Sequence, residues 1–306
     1  MACTLHPDDI KSVKGQGFLL NKGTNCFNAR IVAPCGKITA EQAAVLSKAA
    51  ELYGSGEICF TSRLDIEIPG IPFEKIPEFQ EYIGKAGLYT GGTGAKVRPI
   101  VSCKGTTCHF GLHDTFDLAQ KMHDRFYLGY HHITLPHKFK IAVGGCPNNC
   151  VKPDTNDLAV IGQRVPQVDL EKCKGCKVCQ IEVNCPMKAA HVKDGKIAID
   201  PAVCNRCGRC IGKCPFHVFD EGKDAYLVRI GGRWGKTVER GMPLTPLIVG
   251  QENVLNLVEK AILLFKEQGV AGERFNDTIK RLGFENVEKM LLGDELLQRK
   301  DQILGK

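Results

Sequence analysis

The sequence predicts an α+β fold in which a cysteine-rich insert interrupts the second of two structural units. Residues 28–90 alternate strand and helix patterns, and residues 91–164 do so again. Residues 165–222 are instead dense in cysteine and carry an internal repeat, after which strand and helix patterns resume. Since 306 residues allow roughly two domains, we expect an N-terminal unit at 1–90, a second unit formed by 91–164 and 223–306, and the insert at 165–222.

The composition limits the class of protein. A hydrophobic content of 43% and a charged content of 25% are typical of a globular chain and exclude wholesale disorder. No apolar run approaches the length of a membrane span, and the first residues lack a signal-peptide pattern, so we expect a soluble cytoplasmic protein without a membrane partner. The net charge of +7 comes without a dense Lys/Arg block, which argues against nucleic acid and for small anionic ligands.

The N-terminal unit opens with a short strand and a capped helix. Residues 28–33 have the strand pattern, and Thr39 and Gln42 have the spacing of a capping box. We expect the helix to run to Tyr53, with Gly54 just beyond its end.

A long strand is predicted next. From Glu57 to Ile68 apolar and polar residues alternate, which predicts one continuous strand with Arg63 on the face away from the core. Residues 75–87 have a helical pattern, and the glycine-rich stretch 87–94 marks a boundary.

The second unit repeats this alternation. We expect strands at 97–102, 139–143, 157–162 and 226–230, and helices at 114–127 and 252–268. The last helix is strongly amphipathic and should pack on the core.

The cysteines of the insert have the spacing of two iron–sulfur clusters. They read Cys173-x2-Cys176-x2-Cys179-x5-Cys185-Pro186 and Cys204-x2-Cys207-x2-Cys210-x3-Cys214-Pro215. In two-cluster ferredoxins the fourth cysteine of each run binds the other cluster. We therefore expect one [4Fe-4S] cluster on Cys173, Cys176, Cys179 and Cys214, and a second on Cys204, Cys207, Cys210 and Cys185. Two zinc sites are the alternative, but triplets followed by Cys-Pro are less typical of zinc.

Four further cysteines form two pairs outside the insert, Cys103 with Cys108 and Cys146 with Cys150. Each pair follows a predicted strand, so the two pairs can converge on a third [4Fe-4S] cluster. Cys3, Cys26, Cys35 and Cys59 lack ligand spacing and are interpreted as plain thiols.

These pairs carry a family resemblance. Residues 102–108 and 144–150, Ser-Cys-Lys-Gly-Thr-Thr-Cys and Gly-Gly-Cys-Pro-Asn-Asn-Cys, resemble the sirohaem/[4Fe-4S] signature of sulfite and nitrite reductases, with a first spacing one residue shorter than usual. Residues 61–66 resemble the Thr-Thr-Arg segment of that family, and residues 135–140 its Pro-x-Lys-Phe-Lys segment. Most of residues 28–285 is covered, and the position of the insert most resembles the catalytic C subunits of anaerobic sulfite reductases.

The resemblance implies a fold and a set of cofactors. The fold would be a ferredoxin-like half domain followed by a sirohaem/[4Fe-4S] α/β domain, with a bacterial-type two-cluster ferredoxin domain inserted. The cofactors would be sirohaem and three [4Fe-4S] clusters, and Cys150 would also be the axial ligand of the sirohaem iron. Arg233 and Lys236, in a segment similar to the Gly-Gly segment of the family, are candidates for binding sirohaem carboxylates; a solvated glycine turn explains both residues equally well.

The implied activity is the six-electron reduction of sulfite to sulfide. Lys138 and Lys140 lie two apart on a predicted strand and so share a face, while Arg63 and Arg98 add fork-shaped donors for the oxygens of the anion. Considered singly, each would be an ordinary solvated charge. The resemblance makes them candidates to bind sulfite and to supply protons.

Other interpretations and partners follow from the same residues. Reduction of nitrite to ammonia uses the same apparatus, and a non-catalytic electron-transfer subunit would need only the clusters. The sequence contains no flavin or nicotinamide fingerprint. We therefore expect electrons from a flavoprotein and an iron–sulfur subunit or from a free ferredoxin, and an oligomer in which a second chain can complete the anion site.

Overall fold

The computed structural model describes residues 4–305, so Cys3 lies outside the described residues. The described chain forms one four-stranded sheet, one five-stranded sheet and a two-stranded hairpin. None of the helices between residues 4 and 305 is long and apolar enough to cross a bilayer.

The N-terminal unit is an antiparallel sheet covered by helices. Its elements are α1 (Pro7–Lys14), β1 (Phe18–Leu20), β2 (Cys26–Ile31), α2 (Ala40–Tyr53), β3 (Cys59–Phe60), β4 (Ile66–Pro72) and α3 (Ile76–Gly84). The strand order is β1-β2-β4-β3. The capping box on α2 is confirmed, because Thr39 Oγ1 accepts from the backbone N–H of Gln42 and the Gln42 side chain accepts from that of Thr39. Leu46, Ala49 and Ala50 turn from this helix into a core that also includes Phe18, Phe27 and Phe79.

The prediction of one strand from Glu57 to Ile68 was wrong. Residues 61–65 form a turn between β3 and β4, with Leu64 at φ 65°. The hydroxyl oxygen of Thr61 accepts from the backbone N–H groups of Arg63 and Asp65. Such local bonds compete with strand pairing. Phe60 before the turn is 80% exposed and does not lie on the core face.

The second unit begins with parallel strands around a helix. β5 (Val101–Ser102), α4 (Thr115–Met122), β6 (Ile141–Gly144) and β7 (Leu158–Pro166) follow in order, and β5-β6-β7 pair in parallel. Several predicted boundaries differ. The strand expected at 97–102 is reduced to β5, with Val97 in an isolated bridge to Phe139, and the expected helix 114–127 continues beyond α4 as a π-helix over His123–Leu128.

Residues 167–221 leave the second unit at the end of β7 and return at the start of β10. They contain α5 (Gln180–Asn184) and the hairpin of β8 (Ala190–Lys193) and β9 (Lys196–Ile199). A small core of their own holds them together, formed by Ile181, Ala190, Ile197, Val218 and Phe219.

The chain then completes the five-stranded sheet and its helical cover. β10 (Gly222–Ile230) pairs antiparallel with β7 from Gly222 opposite Pro166 onwards, and β11 (Met242–Pro243) adds the edge. The helices are α6 (Gln251–Gln268), α7 (Phe275–Leu282), α8 (Phe284–Leu292), α9 (Glu295–Gln298) and α10 (Lys300–Leu304). α6 is buried along nearly its whole length, because it packs against β7 and against the four helices that follow it.

Candidate functional site

Arg63 extends from the turn between β3 and β4 to the second unit. Its Nη1 donates to Oδ1 of Asn156 over 2.7 Å, and its Nη2 donates to the carbonyl oxygen of Pro99 over 2.9 Å. Its Nε is buried and has no partner. Burial lowers the pKa of Arg63 to about 10, although the nearby carboxylate of Asp65 opposes this change. A guanidinium with an unused buried donor is suited to a further anionic acceptor.

Lys138 and Lys140 lie immediately before β6. Phe139 between them is fully buried against Phe265 and Phe275. The expected alternation therefore holds, although these residues precede the strand.

The charge of Lys140 depends on its neighbours. Burial lowers the pKa of Lys140 to about 8, and the positive charges of Arg63, Lys138 and Arg274 act in the same direction, while Asp157 opposes them. Burial and Arg274 also lower the pKa of Lys138. Lys140 can thus both carry a positive charge and release a proton near neutral pH.

Arg63, Lys140 and Cys150 line a single depression in the surface, which we call the basic cleft. Its volume is about 370 Å³. The lining residues are Ser62, Arg63, Leu64, Val101, Lys140, Cys150, Val151, Lys152, Thr155, Asn156 and Trp234. Two predicted anion-binding residues and a predicted cluster ligand are thus brought together from three distant segments of the chain.

Arg98 lies outside the lining of the basic cleft. It donates to the carbonyl oxygen of Gly92, which also accepts from Arg30. Burial lowers the pKa of Arg98 to about 10, with further lowering by Arg30 and Arg63. Arg98 is therefore a half-buried positive charge near Arg63.

The two candidates for carboxylate binding differ in their surroundings. Arg233 donates from Nη1 to both carboxylate oxygens of Asp277, at 3.1 and 3.2 Å. Lys236 is exposed, and among the described residues it has neither a hydrogen bond nor an ion pair. Neither residue lines the basic cleft, where the same segment contributes Trp234.

The four cysteines of the second unit come together. Burial raises the pKa of Cys146, and the thiol groups of Cys103, Cys150 and Cys108 raise it further, because each lies close enough to interact with it. The backbone N–H of Gly145 donates to Sγ of Cys103 over 3.1 Å. N–H donors to cysteine sulfur are a regular feature of iron–sulfur sites.

Two glycines allow the loops that carry these cysteines to meet. A Cβ atom on Gly105 would lie 2.9 Å from Cα of Gly145, and one on Gly145 would lie equally close to Cα of Gly105. Real Cβ atoms do not make contacts this short, so the two loops can come this close only with glycine at both positions.

The insert brings its cysteines together across its two repeats. Burial raises the pKa of Cys210 to about 11, with additional contributions from Cys204, Cys207 and Cys185. Cys185 of the first repeat therefore lies beside the cysteines of the second. Cysteines of both repeats pack on the same small core, namely Cys173, Cys179, Cys185, Cys210 and Cys214. Within residues 4–305, no three His, Cys, Asp or Glu side chains are arranged to hold a single metal ion.

A cavity of about 350 Å³ separates the insert from the second unit, and we call it the insert cavity. Cys146 lines it from the second unit, and Cys207 lines it from the insert. The guanidinium of Arg209 lies 5.2 Å from the ring centre of Phe110 at the same boundary. The cysteines of the second unit thus face the insert through Cys146 and the basic cleft through Cys150.

The residues present fit the groups that the sequence implies. The cysteine groups around Cys146 and Cys210, and the N–H donors to the sulfur atoms of Cys103, Cys173 and Cys185, suit [4Fe-4S] clusters. The buried Nε atoms of Arg63, Arg98 and Arg274 lack partners, and this excess of buried donors suits carboxylate-rich sirohaem and an oxyanion.

Sequence reasoning missed Asn156, Asp157 and Arg274. Asp157 is fully buried and accepts from the backbone N–H of Lys140, and its carboxylate pairs with Arg274. The only sequence signal is an Asn-Asp pair placed before the apolar run of residues 158–162. Arg274 had no signal, since it meets these residues only through the packing of α7. Of the remaining thiols, Cys35 is buried and Cys59 is exposed, and neither lies with the cysteine groups above.

Two family models match the chain. Residues 20–86 match the nitrite/sulfite reductase ferredoxin-like half domain, and residues 93–300 match the nitrite and sulphite reductase 4Fe-4S domain. The expectation of a half domain followed by a second α/β unit of this family is confirmed.

Known proteins give the same result. The coenzyme F420-dependent sulfite reductase of Methanocaldococcus jannaschii is 32% identical over 82% of this chain, which spans 40% of that protein. The C subunit of the anaerobic sulfite reductase of Salmonella typhimurium is 29% identical over 76% of this chain and 72% of its own length. The crystal structure of dissimilatory sulfite reductase I superposes with a TM-score of 0.69 at 25% identity, covering 87% of this chain and 69% of that one. The family model alone covers more than half of the residues, and the chain belongs to the nitrite and sulphite reductase family.

Proposed function

We propose that this chain is the sirohaem-containing catalytic subunit of an anaerobic sulfite reductase. The observation that carries the proposal is the position of the cysteine group of the second unit. Cys150 lines the basic cleft with Arg63 and Lys140, and Cys146 lines the insert cavity with Cys207. Such an arrangement connects a source of electrons to a site that attracts an anion.

The proposed cofactors are sirohaem and three [4Fe-4S] clusters. The clusters would be held by Cys103, Cys108, Cys146 and Cys150; by Cys173, Cys176, Cys179 and Cys214; and by Cys204, Cys207, Cys210 and Cys185. Cys150 would also bind the sirohaem iron, and Arg233 and Lys236 would bind its carboxylates. When bound, sirohaem supplies an open iron coordination position at which sulfur is reduced.

The residues of the chain bind the anion and supply protons. Arg63 and Lys140 face the basic cleft and would hold sulfite oxygens through charge-assisted hydrogen bonds. Lys138 would add a second ammonium group, and Arg98 would add positive charge near Arg63. As the S–O bonds break, each departing oxygen takes up protons, and the lowered pKa of Lys140 suits it to donate one.

Electrons would pass from the insert to the second unit. The group of Cys185, Cys204, Cys207 and Cys210 borders the insert cavity through Cys207, so we place its cluster next to that of Cys146. The cluster of Cys173, Cys176, Cys179 and Cys214 would then receive electrons first. A flavoprotein and an iron–sulfur subunit, or a free ferredoxin, would supply them in the cytoplasm, within an oligomer that can complete the basic cleft.

The first test is the absorption spectrum of the anaerobically purified protein together with its iron content. Sirohaem bands with about twelve non-haem irons would support the proposal, since three [4Fe-4S] clusters require that number. Iron–sulfur absorbance without a tetrapyrrole, in cells that make sirohaem, would contradict it and favour an electron-transfer subunit.

A second measurement separates sulfite from nitrite. The proposal predicts a higher kcat/KM for sulfite, whereas a large preference for nitrite would identify an ammonia-forming nitrite reductase. Substituting both Lys138 and Lys140 by alanine should lower turnover by orders of magnitude with the iron content unchanged.

A further inference from the structure

Asp157 joins three parts of the second unit beneath the basic cleft. Its carboxylate accepts from the backbone N–H of Lys140 at 2.9 Å and from Nη2 of Arg274 at 2.8 and 2.9 Å. Its carbonyl oxygen accepts from the backbone N–H of Gly231 at 2.8 Å. The loop before β6, the start of β7 and the residue that precedes α7 therefore meet at one fully buried side chain.

A contribution to stability does not by itself explain the buried ion pair of Asp157 and Arg274. Burial of two charges carries a desolvation penalty, and well-packed apolar residues often replace such pairs without loss of stability. Arg274 is only 6% exposed, donates from its side chain through Nη2 alone, and leaves its Nε buried without a partner.

The two members of the pair also have opposite effects on the pKa of Lys140. Besides burial, the groups that change the pKa of Lys140 are Arg63, Lys138 and Arg274, which lower it, and Asp157, which raises it. Asp157 is the one acidic group among them, so it favours the protonated form of Lys140 against the surrounding cations.

We propose that Asp157 and Arg274 are a positioning pair for Lys140. Asp157 holds the main chain from which the Lys140 side chain extends into the basic cleft, and Arg274 holds Asp157 in place while adding positive charge behind the lysine. The consequence for catalysis rests on the proposed function; the effect on Lys140 itself does not.

The first test measures the titration of Lys140 in the anaerobically purified full-length holoprotein. Competitive labelling of amines with acetic anhydride across a range of pH, followed by mass spectrometry, reports the protonation of each lysine, with exposed lysines of the same chain as standards. Arg274→Met removes a positive charge and should raise the titration midpoint of Lys140. Asp157→Asn removes the negative charge and should lower that midpoint. The double variant should return it towards that of the wild type.

The opposite signs distinguish positioning from structural damage. General loosening of the fold would hydrate Lys140 and raise its midpoint in every variant. Arg274→Lys keeps the positive charge and should leave the midpoint near that of the wild type. Arg281→Met, on the helix α7 that Arg274 precedes, removes an exposed ion pair with Glu273 and serves as the matched control.

The second test is catalytic. We expect Asp157→Asn and Arg274→Met to lower kcat/KM for sulfite by about 10- to 100-fold, as small displacements of a catalytic group do, with Arg274→Lys restoring part of the loss. If Asp157→Asn does not fold, the Arg274 variants and the double variant still decide the question. An unchanged Lys140 midpoint in Arg274→Met, or a shift of the same sign in all variants, would overturn the proposal. Absence of sulfite reduction by the wild type would count against the proposed function only.

Discussion

Arg63 and Asn156 are 93 positions apart in the sequence, and a hydrogen bond of 2.7 Å joins Nη1 of the arginine to Oδ1 of the asparagine. The arginine comes from the N-terminal unit, and the asparagine lies two residues before β7 of the second unit. A residue of the second unit therefore sets the orientation of a guanidinium that the N-terminal unit contributes to the basic cleft.

The first prediction concerns this bond. Asn156→Ala removes the acceptor while Pro99 retains the other half of the guanidinium, so Arg63 should lose its fixed orientation. Because hydrogen bonds to charged groups contribute about 1.5–3 kcal/mol, we expect kcat/KM for sulfite to fall about 10- to 100-fold. Steady-state kinetics checks this, with Asn253→Ala on α6 as the control. Equal kinetics in both variants would contradict the assigned role of Arg63.

The pH dependence of the reaction provides the second prediction. Lys140 has a pKa lowered to about 8 by burial and by neighbouring cations. The ammonium form is present below this pH and disappears above it, so kcat/KM for sulfite should decline as the pH rises through about 8. Lys140→Arg keeps its charge and should shift the decline upward. The profile must be corrected for the titration of sulfite itself; identical profiles in the two proteins would exclude Lys140 as the titrating group.

The third prediction concerns the order of the clusters. Cys210→Ala and Cys176→Ala should each remove one cluster, lowering the iron content by about four atoms of about twelve. Since Cys207 shares the insert cavity with Cys146, loss of the Cys210 cluster should stop electron delivery to the second unit from any donor that binds the insert. Electron paramagnetic resonance of the protein reduced by such a donor tests this. Normal reduction of the cluster of the second unit in Cys210→Ala would contradict the proposed order of electron transfer. Cys59→Ala is the control thiol, because Cys59 is exposed and outside the cysteine groups.

A glycine contact supplies the fourth prediction. A methyl group on Gly105 would lie 2.6 Å from Thr115 Cγ2 and 2.9 Å from Gly145 Cα. Gly105→Ala should therefore push apart the loops of Cys103 and Cys146, costing about 1–3 kcal/mol of stability as overpacking does. Thermal unfolding and iron content measure the effect. Gly15→Ala is the matched control because a Cβ atom there meets nothing within 4 Å, and an equal loss in both variants would remove the steric explanation.

Much of the local structure could be predicted because its causes are local. The capping box of Thr39 and Gln42 lies within four residues, and the helix it begins ends at Tyr53 as expected. The strand from Glu57 to Ile68 was predicted wrongly for the opposite reason. Its alternation is real, yet the hydroxyl of Thr61 binds the following backbone and forms a turn, and the long-range bonds of Arg63 hold that turn in place.

The sequence by itself determined the spacing of the cysteines, the capped helix and the family to which the chain belongs, because these depend on residues close together along the chain. Only the tertiary structure decided which charges meet. Asp157 and Arg274 are 117 positions apart, and their contact depends on how the start of α7 packs beside the residues that precede β6 and β7. The separation of Cys146 and Cys150 onto two different cavities has the same origin. These contacts depend on burial and on the approach of distant segments, and neither can be predicted from the spacing of residues along the chain.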